Sequence, residues 1–387
     1  MNRIATVLVM ALTAISGGAC AQTTGATDPS YPPFSWDRVP LYGHLGKNQG
    51  DFTDAEARFI ASTYDFVTIE KGQAIATRGS TEAGTAFAVR QLKAIRPDLP
   101  VLFYWNAFID YRLYAASTGP LPDSWFVRTT TGEFDTIRGL RRWDLSQPEV
   151  RHWWIETAVR EIETMGADGI FVDALPQVSM NMNATSARFG PEKAQAIADG
   201  SLLLIQELRA RLGPRAIIVY NGLRAPSAPA HWADGGARYQ PWATFAMLEH
   251  YAFDEDATPE QMAADIALVQ EQGRNGEGVV FKAWPRFNWL DEEVMRETPE
   301  ALQTRATADL DFALASFLIA AGEHSYLSYS WGYRENHGGL VDFPALHNRL
   351  GAPRGEAVRD GWRYRRAFEH ADVTLDLETR TGRVEWR

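Results

Sequence analysis

The chain has 387 residues, of which 45% are hydrophobic and 12% are aromatic, and its formal net charge at pH 7 is −11. This length and apolar content indicate a globular protein with a substantial core. The acidic balance argues against nucleic acid and anionic membrane surfaces as partners, because both reward clusters of Lys and Arg.

The N-terminus is typical of an export signal. Met1-Asn2-Arg3 is a short positive head, and the apolar stretch from Ile4 to Ile15 is too short to span a bilayer. Residues 1–21 are therefore predicted to be a signal peptide. Alternatively, Gly18-Ala19-Cys20 resembles the end of a bacterial lipoprotein box, and Cys20 would then carry a lipid anchor.

Both readings of the N-terminus predict an exported protein: periplasmic, secreted, or an outer-membrane lipoprotein. We expect no membrane-spanning segment in the mature chain. Cys20 is the only cysteine of the sequence, so the mature fold has no disulfide and depends on its core.

After a predicted linker over residues 22–38, short apolar runs alternate with amphipathic stretches. Most of these runs lack polar alternation, as expected of strands that are buried on both faces. The predicted strands are Pro40–His44, Phe66–Glu70, Val101–Trp105, Gly169–Asp173, Ala216–Asn221, Phe245–Glu249, Gly278–Lys282 and Tyr326–Tyr329.

Helices are predicted between the strands. Ser146-Gln147-Pro148-Glu149 has the pattern of a capping box and opens a helix that ends at Gly166. Further helices are predicted over residues 190–212, 258–272 and 303–321, with Gly213 and Gly273 following the first two.

Eight strands separated by helices predict an α/β fold, a (β/α)8 TIM barrel over residues 39–340. An open doubly wound sheet is the alternative, but it needs no eighth strand and usually brings a Gly-rich phosphate loop, which follows none of these strands. Residues 341–387 are predicted to be an extension packed on the barrel, with a β-hairpin formed by residues 373–377 and 382–386.

Polar residues follow most of the predicted strands, at the end of a barrel that carries the active site. The set comprises His44, Glu70, Asn106 with Asp110, Asp173, Asn221, Glu249, Lys282 and, among aromatics, Trp331.

Asp173 and Glu249 are the predicted catalytic pair of a glycoside hydrolase. They end the fourth and sixth strands, and adjacent strands lie about 4.8 Å apart, so both carboxylates can flank one glycosidic oxygen. Asp173 is predicted to be the nucleophile and Glu249 the general acid/base, with a pKa raised by apolar neighbours. The sequence does not choose between a retaining and an inverting mechanism.

The remaining strand-end residues are predicted to bind sugar. Glu70 is a rival acid, although an ion pair with Lys71 is the simpler interpretation, and His44 either binds a hydroxyl or fills the barrel mouth. The predicted ligands of sugar hydroxyls are His44, Glu70, Asn106, Asp110, Asn221, Lys282 and Arg334. Trp105, Trp284 and Trp331 are predicted to form an aromatic platform, with at least two of them lining the cleft.

No cofactor and no metal site is predicted, because the eight His residues are scattered and no cysteine pairs exist. The absence of a G-x-S-x-G elbow argues against a serine hydrolase. Two other functions stay open. One is a carbohydrate-binding barrel without catalysis, and the other is a polysaccharide lyase in which Arg224, Lys282 and Arg334 neutralise a uronate.

Several short motifs resemble bacterial putative glycoside hydrolases of the group called hypothetical glycosyl hydrolase family 15. They are Tyr104-Trp105-Asn106, Trp143-Asp144-Leu145-Ser146, Asp168–Asp173, and the tail motifs Leu350-Gly351-Ala352-Pro353 and Arg366-Ala367-Phe368-Glu369. The resemblance covers roughly residues 38–387 and implies a TIM barrel that acts on a carbohydrate. It supports fold and class more than substrate.

Overall fold

Eight parallel strands form one sheet whose spatial order follows the order of the chain. The computed structural model describes residues 31–225, 234–253 and 256–387. The strands are β1 (Tyr42–Leu45), β2 (Phe66–Ile69), β3 (Val101–Asn106), β4 (Gly169–Asp173), β5 (Ile217–Asn221), β6 (Phe245–Leu248), β7 (Gly278–Ala283) and β8 (Ser325–Tyr329). Parallel bridges join Leu41 to Leu327 and Gly46 to Arg334, so β8 returns to β1. The predicted (β/α)8 barrel is confirmed.

Helices follow the strands and cover the outside of the sheet. They are α1 (Asp54–Thr63), α2 (Ile75–Arg78), α3 (Thr81–Ile95), α4 (Ala115–Thr118), α5 (Pro148–Met165), α6 (Gln177–Met180), α7 (Met182–Phe189), α8 (Pro191–Leu212), α9 (Pro259–Arg274) and α10 (Pro299–Ala320). Between β5 and β6 the described residues form a 3₁₀ helix, Ala237–Trp242.

Two details of the helix predictions are wrong. The N-cap of α5 is Gln147, without a side-chain cap, because the hydroxyl of Ser146 donates to Asp144 instead. Helix α9 continues through Gly273, where a Cβ would lie 3.1 Å from the Cα of Gly322. That glycine therefore serves a close approach of two backbone segments, and it does not end the helix.

Aromatic side chains fill the end of the barrel at which the strands begin. The rings of Phe66 and Phe245 stack at 4.9 Å, and both meet the edge of Tyr326, at 5.0 and 5.5 Å. All three side chains are fully buried. Because these apolar rings fill the end of the barrel at which the strands begin, its polar side chains lie at the carboxyl ends of the strands.

The C-terminal residues form a four-stranded antiparallel sheet of β9 (Val358–Asp360), β10 (Arg363–Ala367), β11 (Ala371–Asp376) and β12 (Thr381–Trp386). The predicted hairpin is confirmed as β11 and β12. Gly382 lies against α10, where a Cβ would come within 2.5 Å of the carbonyl oxygen of Asp311. Arg366 donates to the carbonyl oxygens of Leu318 and Ala321 at the C-terminal end of α10, at 2.8 and 2.5 Å.

Within the described part of the chain, no helix is both long and apolar enough to cross a bilayer. The predicted signal segment, with Cys20, lies outside the described residues.

Candidate active site

Asp173, the last residue of β4, is surrounded by hydrogen-bond donors. Its Oδ2 accepts hydrogen bonds from Nδ2 of Asn106, at 2.9 Å, and from the hydroxyl of Tyr104. Its Oδ1 accepts from Nδ2 of Asn221 at 3.0 Å and from the backbone N–H of Ala174 at 2.8 Å. Four donors therefore fix the position and orientation of this carboxylate.

The backbone just after this carboxylate is strained. Ala174 has φ 56°, in the left-handed region, which costs a residue with a Cβ about 1–2 kcal/mol. The turn directs the N–H of Ala174 back at Asp173. Strain of this kind is typical of functional sites, where surrounding contacts hold the backbone in place.

Glu249 follows β6 and is held from several sides. Its Oε2 accepts a hydrogen bond from Nδ2 of Asn221 at 2.6 Å and lies 3.3 Å from Nε2 of His250. Its Oε1 accepts from the hydroxyl of Tyr333. Trp284 fixes the backbone, because its indole N–H donates to the carbonyl oxygen of Glu249 at 2.7 Å.

One amide nitrogen joins the two carboxylates. Nδ2 of Asn221 lies 3.0 Å from Oδ1 of Asp173 and 2.6 Å from Oε2 of Glu249, so these two oxygens are less than about 6 Å apart. The two carboxylates therefore face one small space between β4 and β6.

The expected rise in the pKa of Glu249 is wrong. Burial alone would raise this pKa, but His250, Tyr333 and Asn221 outweigh burial and lower it to about 2. The sequence pattern showed only the apolar neighbours along the strand. The contacts that stabilise the charged form come from the residue after Glu249, from β5 and from the segment after β8.

Glu70 and Lys71 form a second charged group near Asp173. Glu70 accepts a hydrogen bond from Nε2 of His44, at 2.8 Å, and pairs with Lys71, whose Nζ lies 3.3 Å from the hydroxyl of Tyr104. Burial opposes the charge of Glu70, but Lys71 and His44 together lower its pKa to about 2. Through Tyr104 this group contacts Asp173.

A cleft of about 400 Å³ opens above the pair. Of the predicted site residues, it is lined by Asp173, Glu249, Asn106 and Asn221. The lining also includes Tyr111, Arg138, Arg224 and His250. Among the described residues no cluster of three or more His, Cys, Asp or Glu is suited to hold a metal ion.

Comparison with known families decides the class. Residues 93–372 match the sequence model of hypothetical glycosyl hydrolase family 15. The chain belongs to this family. It is a glycoside hydrolase, and the resemblance noted from the short motifs is confirmed. No curated protein matches the chain.

Solved structures of other glycosidases are remotely similar to this glycoside hydrolase. A maltogenic α-amylase of Thermotoga neapolitana is 11% identical, with a TM-score of 0.49, over 87% of this chain and 85% of that one. An α-amylase of Geobacillus thermoleovorans is 13% identical, with a TM-score of 0.46, over 88% and 87%. The glycoside hydrolase domain of PelA from Pseudomonas aeruginosa is 13% identical, with a TM-score of 0.45, over 75% and 94%. Likenesses this remote carry no information on substrate.

The predicted aromatic platform of this glycoside hydrolase is wrong. Trp105 and Trp331 are each only 2% exposed. Trp105 packs against Tyr114 and the helix residues Trp153 and Trp154, on the outer side of the sheet. Trp331 packs against Phe287 and donates its indole N–H to Asn336. Trp284 donates its indole N–H to the backbone carbonyl oxygen of Glu249 and does not line the cleft.

Other predicted sugar ligands are also absent from the lining of the cleft. Asp110 is 2% exposed and accepts a hydrogen bond from the backbone of Arg112 within its own loop. Lys282 is fully buried and donates to the carbonyl and hydroxyl oxygens of Ser330 at 2.6 and 3.0 Å. Arg334 donates to Asn48 and to the carbonyl oxygen of Lys71. His44 and Glu70 occupy the barrel interior, 5% and 2% exposed. None of these five residues lines the cleft, so their predicted contact with sugar finds no support in its lining.

Tyr104, Tyr333 and His250 contact the two carboxylates but were not predicted as site residues. The signal for Tyr104 was present, because side chains alternate along a strand and Asn106 faces the cleft, so Tyr104 shares its face and Trp105 does not. No comparable signal identified Tyr333, which lies in the irregular segment after β8.

Proposed function

We propose that this glycoside hydrolase is exported and cleaves O-glycosidic bonds of a poly- or oligosaccharide with Asp173 and Glu249 as its two catalytic carboxylates. The observation that supports the pair is the amide of Asn221, which holds both carboxylates at one cleft. Export rests on the sequence of residues 1–21.

In the first proposed step, Oδ1 or Oδ2 of Asp173 attacks the anomeric carbon. A glycosyl–aspartate bond forms as the bond to the leaving oxygen breaks, and Glu249 gives its proton to that oxygen. In the second step, Glu249 takes a proton from water. The water oxygen bonds to the anomeric carbon and releases Asp173, so the enzyme is restored.

The spacing favours retention of configuration. Retaining enzymes place their carboxyl groups about 5–5.5 Å apart, and inverting enzymes leave about 6.5–9.5 Å for a water between them. Oδ1 of Asp173 and Oε2 of Glu249, less than about 6 Å apart, leave little room for that water.

The low pKa of Glu249 describes the protein before substrate enters. Asn221 and His250 hold the charged form, and the side chain of His250 is 38% exposed at the cleft. A sugar that displaces these contacts removes two groups that lower the pKa, while burial, which raises it, remains. Substrate binding is therefore expected to favour the protonated acid that the first step needs.

Asp173→Asn and Glu249→Gln test the pair on a panel of glycans, with new reducing ends as the readout. Glu249→Gln should lower kcat by about 10²–10⁴-fold. Asp173→Asn should lower it by about 10³-fold or more, because no covalent intermediate can form. Asp199→Asn, an exposed carboxylate on α8, is the matched control and should keep full activity.

Near-normal turnover in either variant would rule out the assignment. Unsaturated products would instead indicate elimination by a lyase, and binding without products would indicate a carbohydrate-binding role. NMR identifies the anomer that is released first. This anomer should have the same anomeric configuration as the substrate. The inverted anomer would contradict Asp173 as nucleophile.

A further inference from the structure

Two arginines line the cleft without a function in the proposed chemistry. Arg138 lies at the turn of a small hairpin, Thr136–Ile137 and Leu140–Arg141, which is inserted between β3 and α5. Arg224 lies in the loop after β5. The cleft of an acidic protein thus presents two guanidinium groups beside its catalytic pair.

The basic residues of the hairpin differ in their partners. Arg141 pairs with Asp123 at 3.1 Å, and Arg142 pairs with the buried Asp135 at 2.7 Å. Within the described ranges, Arg138 has no such ion pair or hydrogen bond, and its side chain is exposed. The paired arginines anchor the hairpin and leave the charge of Arg138 available to a ligand.

The backbone at Arg138 is unfavourable for its residue type. Arg138 has φ 51° and Gly139 has φ 79°, a pair of positive angles that a two-residue hairpin turn needs. Asn or Gly suits the first of these positions, whereas a long side chain is disfavoured there. A strained residue at the edge of an active-site cleft is a sign of function.

The side chain of Arg224 likewise forms no hydrogen bond or ion pair within the described residues, although its charge acts on the nearby carboxyl of Asp265. Its backbone N–H donates to Gly235 at 2.9 Å. The nearby carboxylate of Asp265 accepts a hydrogen bond from the backbone of Ala225 at 2.8 Å and forms no hydrogen bond with the Arg224 side chain. Arg224 is half-buried, which strengthens its attraction for an anion compared with a fully exposed arginine.

Before substrate binds, the carboxylate oxygens of the cleft already have hydrogen-bond donors. Each oxygen of Asp173 and Glu249 accepts a hydrogen bond from the protein, through Tyr104, Asn106, Asn221 or Tyr333. The guanidinium groups of Arg138 and Arg224, by contrast, have no hydrogen-bond acceptor among the described residues and can donate to a ligand.

We propose that the cleft binds an acidic glycan, in which a uronic acid lies beside the cleaved bond and its carboxylate is bound by Arg138 and Arg224. A guanidinium forms paired hydrogen bonds with a carboxylate, which gives this contact both strength and orientation. The inference rests on the proposed function, because it places the carboxylate next to the bond that Asp173 and Glu249 cleave.

The test uses Asp173→Asn as a binding-only background, so that binding is measured apart from hydrolysis. Oligomers of galacturonic, glucuronic and mannuronic acid are compared by calorimetry with their carboxyl-reduced, neutral forms and with a sulfated galactan. At least one uronic oligomer should bind ten times more tightly than its reduced form. Adding Arg138→Gln or Arg224→Gln should weaken that binding by about ten- to a hundredfold. Arg160→Gln, an exposed arginine on α5, should leave binding unchanged.

Equal affinity for the acidic and reduced oligomers, or no binding of any acidic oligomer, would overturn the inference and leave the catalytic proposal standing. Tighter binding of the sulfated galactan would overturn the choice of a carboxylate. Binding of a uronic oligomer that the unmodified enzyme fails to hydrolyse would contradict the proposed function alone.

Discussion

Glu249 shows how strongly a few contacts can override burial. Its carboxylate is largely buried, yet the donors from Asn221 and Tyr333 and the imidazole of His250 hold the pKa far below its usual range. A general acid must be protonated to act, so the same contacts that position Glu249 also oppose its protonation in the free enzyme.

The pH dependence of kcat/KM tests this balance at Glu249. In the proposed mechanism the protonated acid is the active form, so activity should fall as pH rises through the pKa of Glu249. His250→Gln and Tyr333→Phe each remove a contact that lowers this pKa, and the fall should therefore move to higher pH in both variants. The profile of kcat/KM against pH measures the shift, with the exposed His152→Gln on α5 as control. An unchanged basic limb would show that Glu249 is not the acid.

At the scale of elements, strand β3 has different functions on its two faces. Tyr104 and Asn106 point to the cleft and bind Asp173. Trp105 points the other way and packs on α5, where the indole of Trp154 also donates to the carbonyl oxygen of Asn106 at 3.1 Å. One strand thus contributes both to the site and to the packing that keeps the site rigid.

Trp105→Ala should therefore affect stability more than substrate binding. Loss of a buried indole is expected to lower the free energy of unfolding by about 3–5 kcal/mol. Denaturant unfolding measures this loss, and KM of the folded variant should change little. Trp242→Ala removes a tryptophan that is 37% exposed and should cost much less. A large rise in KM with unchanged stability would restore Trp105 as a sugar-binding residue.

At the scale of the whole molecule, the barrel buries a charged network between its first strands. Glu70 follows β2, pairs with Lys71 and accepts from His44 of β1. Its pKa is lowered from 4.5 to about 2 in the folded state. A carboxyl whose pKa is lower in the folded state stabilises the fold at pH values above its unfolded-state pKa. This stabilisation is lost as the pH falls toward its folded-state pKa.

Glu70→Gln tests this contribution through the pH dependence of stability. At pH 7 the variant leaves Lys71 without its carboxylate, which should lower the free energy of unfolding by about 3 kcal/mol. The difference from the unmodified protein should shrink as pH falls from 4.5 toward 2, because Glu70 itself then becomes neutral. Guanidinium unfolding between pH 7 and 3 measures it, with the exposed Glu300→Gln as control. A constant difference over that range would contradict the lowered pKa.

The sequence alone determined the barrel and the edge at which the proposed catalytic pair lies. Continuous apolar runs predicted strands buried on both faces, and the carboxylates that end the fourth and sixth runs lie together because parallel strands end at one face. These signals are local, since burial and chain order are visible in the residues themselves. The family motifs added the class of enzyme.

Only the tertiary structure decided which side chains reach the cleft and how they are charged. The apolar content of a strand that is buried on both faces does not show which side chains face the cleft, so for Trp105 only the alternation from Asn106 gives the side. The pKa of Glu249 depends on Asn221 and Tyr333, which come from distant parts of the chain. Arg138 reaches the cleft on an inserted hairpin, where no periodic pattern applies. Contacts between segments far apart in sequence set these properties, because distance and orientation fix electrostatic energies and residue order does not.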